Sequence, residues 1–215
     1  MAPTSSRTRD VIFVIGAPGA GKGTLCKMLA AAHDLEHLSI GDLLRQTVSS
    51  PNADKEMAGY IQRGELLPTH MILSTMRPHI TEPSCGDAGR ILLLDGFPRR
   101  LDQAKEFETV FGPPNMVLFF DCPEDLARER VLSRQLGRAG DTIEVFNQRH
   151  LEFRELNPPV LSYYGSAPTV KTITIDTSGP TDESYVALQT ALSGSEEWAA
   201  LLSKAQKPPV GGDEK

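Results

Sequence analysis

The residues with the plainest chemical potential are Gly16-Ala17-Pro18-Gly19-Ala20-Gly21-Lys22-Gly23-Thr24. Glycines let a backbone curl so that successive N–H groups converge on anionic oxygens, and Lys22 adds a mobile cation to that cradle. The run follows Val11-Ile12-Phe13-Val14-Ile15 and opens an amphipathic stretch. A glycine loop between a buried strand and a helix N-terminus binds phosphate, because the helix end contributes its own partial positive charge. The common spacing G-x-x-x-x-G-K-[ST] is displaced by one residue, since Gly23 stands at the hydroxyl position and Thr24 carries the hydroxyl.

A carboxylate belongs with this loop. Leu92-Leu93-Leu94-Asp95 ends an apolar run on an acid, which at the carboxyl edge of a parallel sheet would lie beside the phosphates. There Asp95 and Thr24 can hold Mg²⁺ through water. Taken alone, an aspartate in that place is as readily a turn cap. Arg130, Arg134 and Arg138 recur every four residues, so a helix carries them along one face. By itself that stripe reads as solvated charge, with Glu129 as a local partner. The five histidines show no ligand spacing and read as surface or packing residues.

These groups need a scaffold. The apolar runs 11–15, 91–94 and 116–120 read as strands buried on both faces, and 170–175 alternates as a less buried strand. Helical patterns lie near 21–33, 41–49, 53–63, 69–80, 100–110, 123–136, 142–164 and 181–203. Strands separated by helices of this length imply a parallel sheet built from strand–helix–strand units, an α/β fold. Between Gly41 and about Ile80 the pattern is all helical, which points to a small insertion leaning over the sheet edge. Pro158-Pro159 is expected to kink or restart its helix, with Asn157 capping the restart. Residues 206–215 read as a tail on a single domain spanning 1–205.

Composition narrows the class. In 215 residues, 22 Lys and Arg against 28 Asp and Glu leave a net charge of −6, which argues against a polyanion binder but not against a small anionic ligand. The 40% hydrophobic and 23% charged fractions exclude a disordered chain. Cys26, Cys85 and Cys122 are odd in number and lack disulfide or zinc spacing, which fits a reducing compartment. No apolar run approaches the ~20 residues of a membrane span, and the start MAPTSSRTRD has no apolar leader segment. The expectation is a cytoplasmic or nucleocytoplasmic enzyme.

The glycine run with its displaced threonine resembles the nucleoside monophosphate kinase family. The segments His37-Leu38-Ser39-Ile40-Gly41-Asp42-Leu43-Leu44-Arg45, Gly64-Glu65-Leu66-Leu67-Pro68 and Leu94-Asp95-Gly96-Phe97-Pro98-Arg99 fit the same family in order. So do Phe119-Phe120-Asp121-Cys122-Pro123-Glu124, Gly137-Arg138-Ala139-Gly140-Asp141 and Gln148-Arg149. The 119–124 segment looks most like the UMP/CMP kinases.

That resemblance implies a phosphate-loop core with a five-stranded parallel sheet, a helical acceptor-binding insertion over about 40–80 and a short lid over about 134–143. It implies transfer of the ATP γ-phosphoryl group to a nucleoside monophosphate, with ATP and Mg²⁺ required. The expected protein is a monomer with no nucleic acid polymer or membrane as partner. On the donor side it implies the loop 16–24, with Arg130 stacked on adenine and Arg134 reaching the phosphates. On the acceptor side it implies Ile40, Arg45, Leu67, Gly96, Arg99, Gln103, Arg138 and Arg149, with Gln103 reading the base and Asp141 orienting Arg138. The catalytic set would be Lys22, Asp95, Arg99, Arg134, Arg138 and Arg149.

Three features depart from the family pattern. Ile40 stands where adenylate kinases typically have Thr and UMP/CMP kinases a small residue, which disfavours a standard adenine pocket. The lid is about two residues shorter than the usual short form, with Gly140 replacing a common Asp. Leu25 replaces a frequent Gln. On the ordered motifs, Ile40 and the 119–124 segment, the expected acceptor is UMP or CMP. AMP is the alternative acceptor, and a catalytically silent nucleotide-binding protein is the reading of another class.

Overall fold

The computed structural model describes residues 9–50, 55–63, 65–82, 90–133 and 142–205. In chain order these form β1 (Val11–Gly16), α1 (Lys22–His33), β2 (Glu36–Ser39), α2 (Ile40–Ser49), α3 (Lys55–Arg63), α4 (Thr69–Thr81) and β3 (Leu92–Asp95). There follow α5 (Leu101–Phe111), β4 (Met116–Asp121), α6 (Glu124–Leu132), α7 (Ile143–Gly165), β5 (Lys171–Asp176), α8 (Thr181–Ser193) and α9 (Glu196–Ala205). The strands make one parallel sheet in the order β2-β3-β1-β4-β5.

Helices cover both sheet faces, and successive residues of β1 feed opposite cores. Ile12 and Val14 join a cluster with Leu25 and Leu29 of α1, Ala127 of α6, Leu188 of α8 and Trp198 of α9. Val11, Phe13 and Ile15 join one with Ile40 and Leu44 of α2, Met76 of α4, Phe107 of α5 and Tyr164 of α7. This two-sided burial is why β1 reads as a continuous apolar run rather than an alternating one. Phe13 meets Phe97, Phe107 and Tyr164 edge-on at centroid distances of 5.4, 4.9 and 5.9 Å. Such pairs are worth about 0.5–1.5 kcal/mol each beyond burial. They fasten the segment that carries Gly96, Pro98 and Arg99 to the central strand.

Register aims the site. Val14 lies opposite Asp95, and Asp95 opposite Ser39, so the ends of β1, β3 and β2 come together at one edge of the sheet.

The structure departs from the sequence reading in three places. β2 is a strand that the hydrophobic runs do not announce: Glu36-His37-Leu38-Ser39 is four residues long and half-buried at the sheet edge. The pattern over 181–203 is two helices, broken at Gly194-Ser195, where the Ser195 hydroxyl accepts the N–H of Trp198 and starts α9. Of the helix expected over 123–136, Glu124–Leu132 is helical with Ser133 as its C-cap, and residues 134–136 lie outside the described residues. Finally, α7 runs unbroken through Pro158 and Pro159. The prolines remove the hydrogen bonds to the carbonyls of Arg154 and Glu155, but all four residues are on the exposed face, where water can serve those carbonyls. Asn157 caps nothing; its amide donates to the carbonyl of Arg99 at 3.1 Å. Among the described residues, no helix is long and apolar enough to cross a membrane.

Candidate active site

The loop after β1 is shaped by positive φ at Gly19 (87°) and Gly21 (80°). Gly21 is the N-cap of α1, so the loop ends at the positive end of the helix dipole. Gly19 is also held by contact: a Cβ there would lie 2.1 Å from the carbonyl oxygen of Ala127 in α6. The ammonium of Lys22 donates to the carbonyls of Gly16 and Ala17, both at 2.8 Å, and so folds back over the loop. Ala17 and Ala20 are buried beneath it.

The loop forms one wall of a cleft of about 460 Å³. Gly16, Pro18, Gly19 and Gly21–Thr24 line this wall with Asp95 beside them, and Arg45, Arg99, Arg149 and Glu152 also line the cleft. Asp95 is 6% exposed and sits against the loop, since a Cβ on Gly23 would lie 3.5 Å from its Oδ2. Its Oδ2 is 3.2 Å from His37 Nε2. Beneath it the Cys26 thiol is pushed well up, chiefly by burial and also by Asp95, against the opposing charge of Lys22.

Three arginines converge opposite the loop. Burial is the main cause that holds Arg99 below the ordinary guanidinium range, and the like charges of Arg149 and Arg45 act in the same sense. Glu152 and Asp95 oppose the shift. Arg99 is fixed at several points: Nε donates to the Gly96 carbonyl at 3.2 Å, and its backbone N–H donates to Gln103 Oε1 at 2.8 Å. Arg45 is paired with Asp42 one turn away. Crowded guanidinium groups make an anion site, because each gains from a shared phosphate what it loses to its neighbours.

Beside the arginines lies a smaller pocket of about 40 Å³, lined by Ile40, Leu44, Glu65, Leu66, Leu67, Ile72, Gly96, Phe97, Arg99 and Gln103. Gln103 is completely buried, and its Nε2 has no hydrogen-bond partner among the described residues. Its orientation is settled by Oε1 accepting the Arg99 N–H, so an amide donor is left over in an apolar pocket.

A match to the family described as adenylate kinase spans residues 14–168. The chain belongs to the adenylate kinase family. It is 37% identical over 190 residues to a uridylate kinase of Saccharomyces cerevisiae, which covers 86% of this chain and 92% of the relative. It is 37% identical over 185 residues to UMP-CMP kinase 2 of Oryza sativa subsp. japonica (85% and 74%). It is 39% identical over 175 residues to adenylate kinase 1 of Schistosoma mansoni (80% and 87%). Membership in this family makes the chain an ATP-dependent nucleoside monophosphate kinase.

Within the adenylate kinase fold, the expected site residues fall into three groups. The loop 16–24, Arg45, Gly96, Arg99 and Arg149 line the cleft or form the wall beneath it, and Ile40, Leu67 and Gln103 meet in the side pocket. Arg130 does not line either space; its guanidinium donates to the carbonyls of Thr177 and Gly179, which holds its plane against the loop after β5. Arg134, Arg138 and Asp141 lie outside the described residues, as do Gly64 and Cys85.

Sequence reasoning missed three participants. His37 is not a plain surface or packing residue but the partner of Asp95, brought there by the unrecognised strand β2. Asn157 secures Arg99. Glu152 faces the arginines from α7. The last was findable, because it lies one helical turn after Arg149.

His150, next to Arg149, packs between Phe146 and Phe153 at centroid distances of 5.4 and 6.1 Å. Its Nδ1 is 3.5 Å from Glu124. Burial, aided by Arg154 and Arg128 and opposed by Glu124, lowers its pKa. The folded protein therefore binds fewer protons here than the unfolded chain between the lowered value and about 6.5. Stability should be full above about 6.5 and decline as the pH falls through that window. Melting temperatures measured from pH 7.5 to 5 should fall less steeply in His150→Leu than in the unaltered protein. Parallel curves would remove His150 as the cause.

Proposed function

We propose that the protein transfers the γ-phosphoryl group of ATP to UMP or CMP, giving ADP and the nucleoside diphosphate. The observation that carries the acceptor base is the side pocket. Ile40 narrows it and offers no hydroxyl, and the spare amide donor of Gln103 faces a space better matched to a single six-membered ring carrying carbonyl oxygens than to a fused purine. The names of the yeast and rice relatives agree with this reading.

In this scheme Lys22 and the amides of 16–24 hold the donor phosphates, exchanging the ammonium's bonds to Gly16 and Ala17 for phosphate oxygens. Arg45, Arg99 and Arg149 hold the acceptor phosphate, with Arg134 and Arg138 closing on the group in flight. The acceptor oxygen attacks the γ-phosphorus in line as the bond to ADP breaks, with no protein-bound intermediate. Thr24 and the buried Asp95, one on the loop and one packed against it, fit a hard divalent cation. Bound there, Mg²⁺ would supply charge neutralisation between the phosphates. Cys26 and Cys122 are free thiols, in keeping with a reducing compartment.

Coupled assays of ADP formation with UMP, CMP, AMP and GMP test the proposal. UMP and CMP should be turned over at least tenfold better than either purine. Tenfold better use of AMP than of both pyrimidines would overturn the base assignment, and ATP binding without transfer to any of the four would overturn the activity.

A further inference from the structure

Three side chains from three elements meet at the floor of the cleft. Cys26 of α1, His37 of β2 and Asp95 at the end of β3 each bring one ligand atom within 4.8 Å of the others. His37 Nε2 and Asp95 Oδ2 are already 3.2 Å apart. His37 and Asp95 line the cleft, so a small ion entering there reaches them first, with Cys26 behind. Cys26 is a free thiol.

The chemistry of this set differs from that of the loop side of Asp95. Thr24 and Asp95 offer oxygen, the choice of a hard cation. Thiol, imidazole and carboxylate together are the donor set of a borderline-soft cation, and three such ligands with water as the fourth make an open tetrahedral zinc site. Zinc–ligand distances of about 2.0–2.3 Å place tetrahedral donors roughly 3.3–3.8 Å apart, so small side-chain rotations close the trio around an ion. Among the described residues it is the one such group of three.

We propose that Cys26, His37 and Asp95 bind Zn²⁺ and that this occupancy inhibits the enzyme by engaging Asp95 Oδ2, the oxygen that lies between Gly23 of the loop and His37. On binding, the Cys26 S–H bond breaks, its proton passes to solvent and a sulfur–zinc bond forms. Asp95 is thus shared between two cation chemistries, and one ion takes it at the expense of the other. The inhibition rests on the proposed kinase activity, whereas the binding does not.

Co²⁺ is the probe, added to the purified full chain without nucleotide. Expected is a near-ultraviolet thiolate-to-cobalt charge-transfer band that saturates at one equivalent and is bleached by Zn²⁺. Cys26→Ala should abolish the band, and His37→Asn should weaken Co²⁺ and Zn²⁺ binding by at least about tenfold. Both variants should keep the native circular dichroism spectrum and should bind ATP. If Cys26→Ala does not fold, the nearly isosteric Cys26→Ser replaces it. In assays with buffered free Zn²⁺, the unaltered enzyme should lose activity, recover it with chelator, and be at least about tenfold more sensitive than either variant. Absence of the band, or a band that persists in Cys26→Ala, overturns the site. Equal zinc sensitivity of enzyme and variants overturns the inhibition. Co²⁺ binding in a chain that phosphorylates no monophosphate would refute the activity and leave the site standing, and active enzyme with no band would do the reverse.

Discussion

Arg99→Ala should lower kcat/KM for the acceptor on the order of 10³-fold while ATP affinity stays near that of the unaltered enzyme. That loss corresponds to about 4 kcal/mol of transition-state stabilisation. Arg99 borders both the main cleft and the side pocket, and it is held by Gly96, Gln103 and Asn157. A planar fork fixed at that junction can grip a phosphate bidentately while the base is read beside it. The contacts to Gln103 and Asn157 use the backbone of Arg99, so they survive the substitution. Because Arg149 and Arg45 repel the Arg99 charge, its removal should leave the melting temperature within a few degrees. Arg99→Lys keeps the charge without the fork and should fall between the two. Initial-rate kinetics together with ATP titration calorimetry check this, and a parallel loss of ATP affinity would contradict the acceptor-side placement.

Gly19→Ala should weaken ATP binding at least 10²-fold. Two costs combine. The residue's φ of 87° carries about 1–2 kcal/mol for an L side chain. The added Cβ would also stand 2.1 Å from the backbone oxygen of Ala127, so the loop or the start of α6 must move. Gly112→Ala is a matched control, since Gly112 has φ 82° but nothing within 4 Å of a built Cβ. It should lower the melting temperature by a few degrees and leave ATP affinity alone. Equal ATP affinity in the two variants would show that contact with α6 does not shape the loop.

Much of this architecture was legible in the sequence because it is local. The glycine loop needs its strand before it and its helix after it, and all three are contiguous. The buried strands announced themselves because both faces of β1, β3 and β4 are covered. What stayed hidden depends on distant partners. β2 is four residues of mixed polarity whose strand state comes from pairing with β3, as Glu36 with Leu92. With β2 unseen, His37 had no route to Asp95. Gln103 looks like an exposed helical residue until α2, the 65–67 segment and Phe97 close over it. The double proline was misjudged because the rule concerns lost hydrogen bonds, and their cost falls when the stranded carbonyls face water. Net charge left the site open, since a total of −6 coexists with Arg45, Arg99 and Arg149 gathered in one cleft.

The strand order also bears on when the molecule becomes competent. β1 leads the chain yet occupies the middle of the sheet, pairing Val11 with Leu92 on one side and Ile12 with Met116 on the other. Such long closures make pairing slow relative to helix formation. During synthesis the glycine loop leaves the ribosome early, but the strands that flank β1 begin only at Leu92 and Met116. Nucleotide therefore cannot template the early chain. It can trap the nearly finished one, which makes recovery of ATP binding a clock for the last sheet pairing.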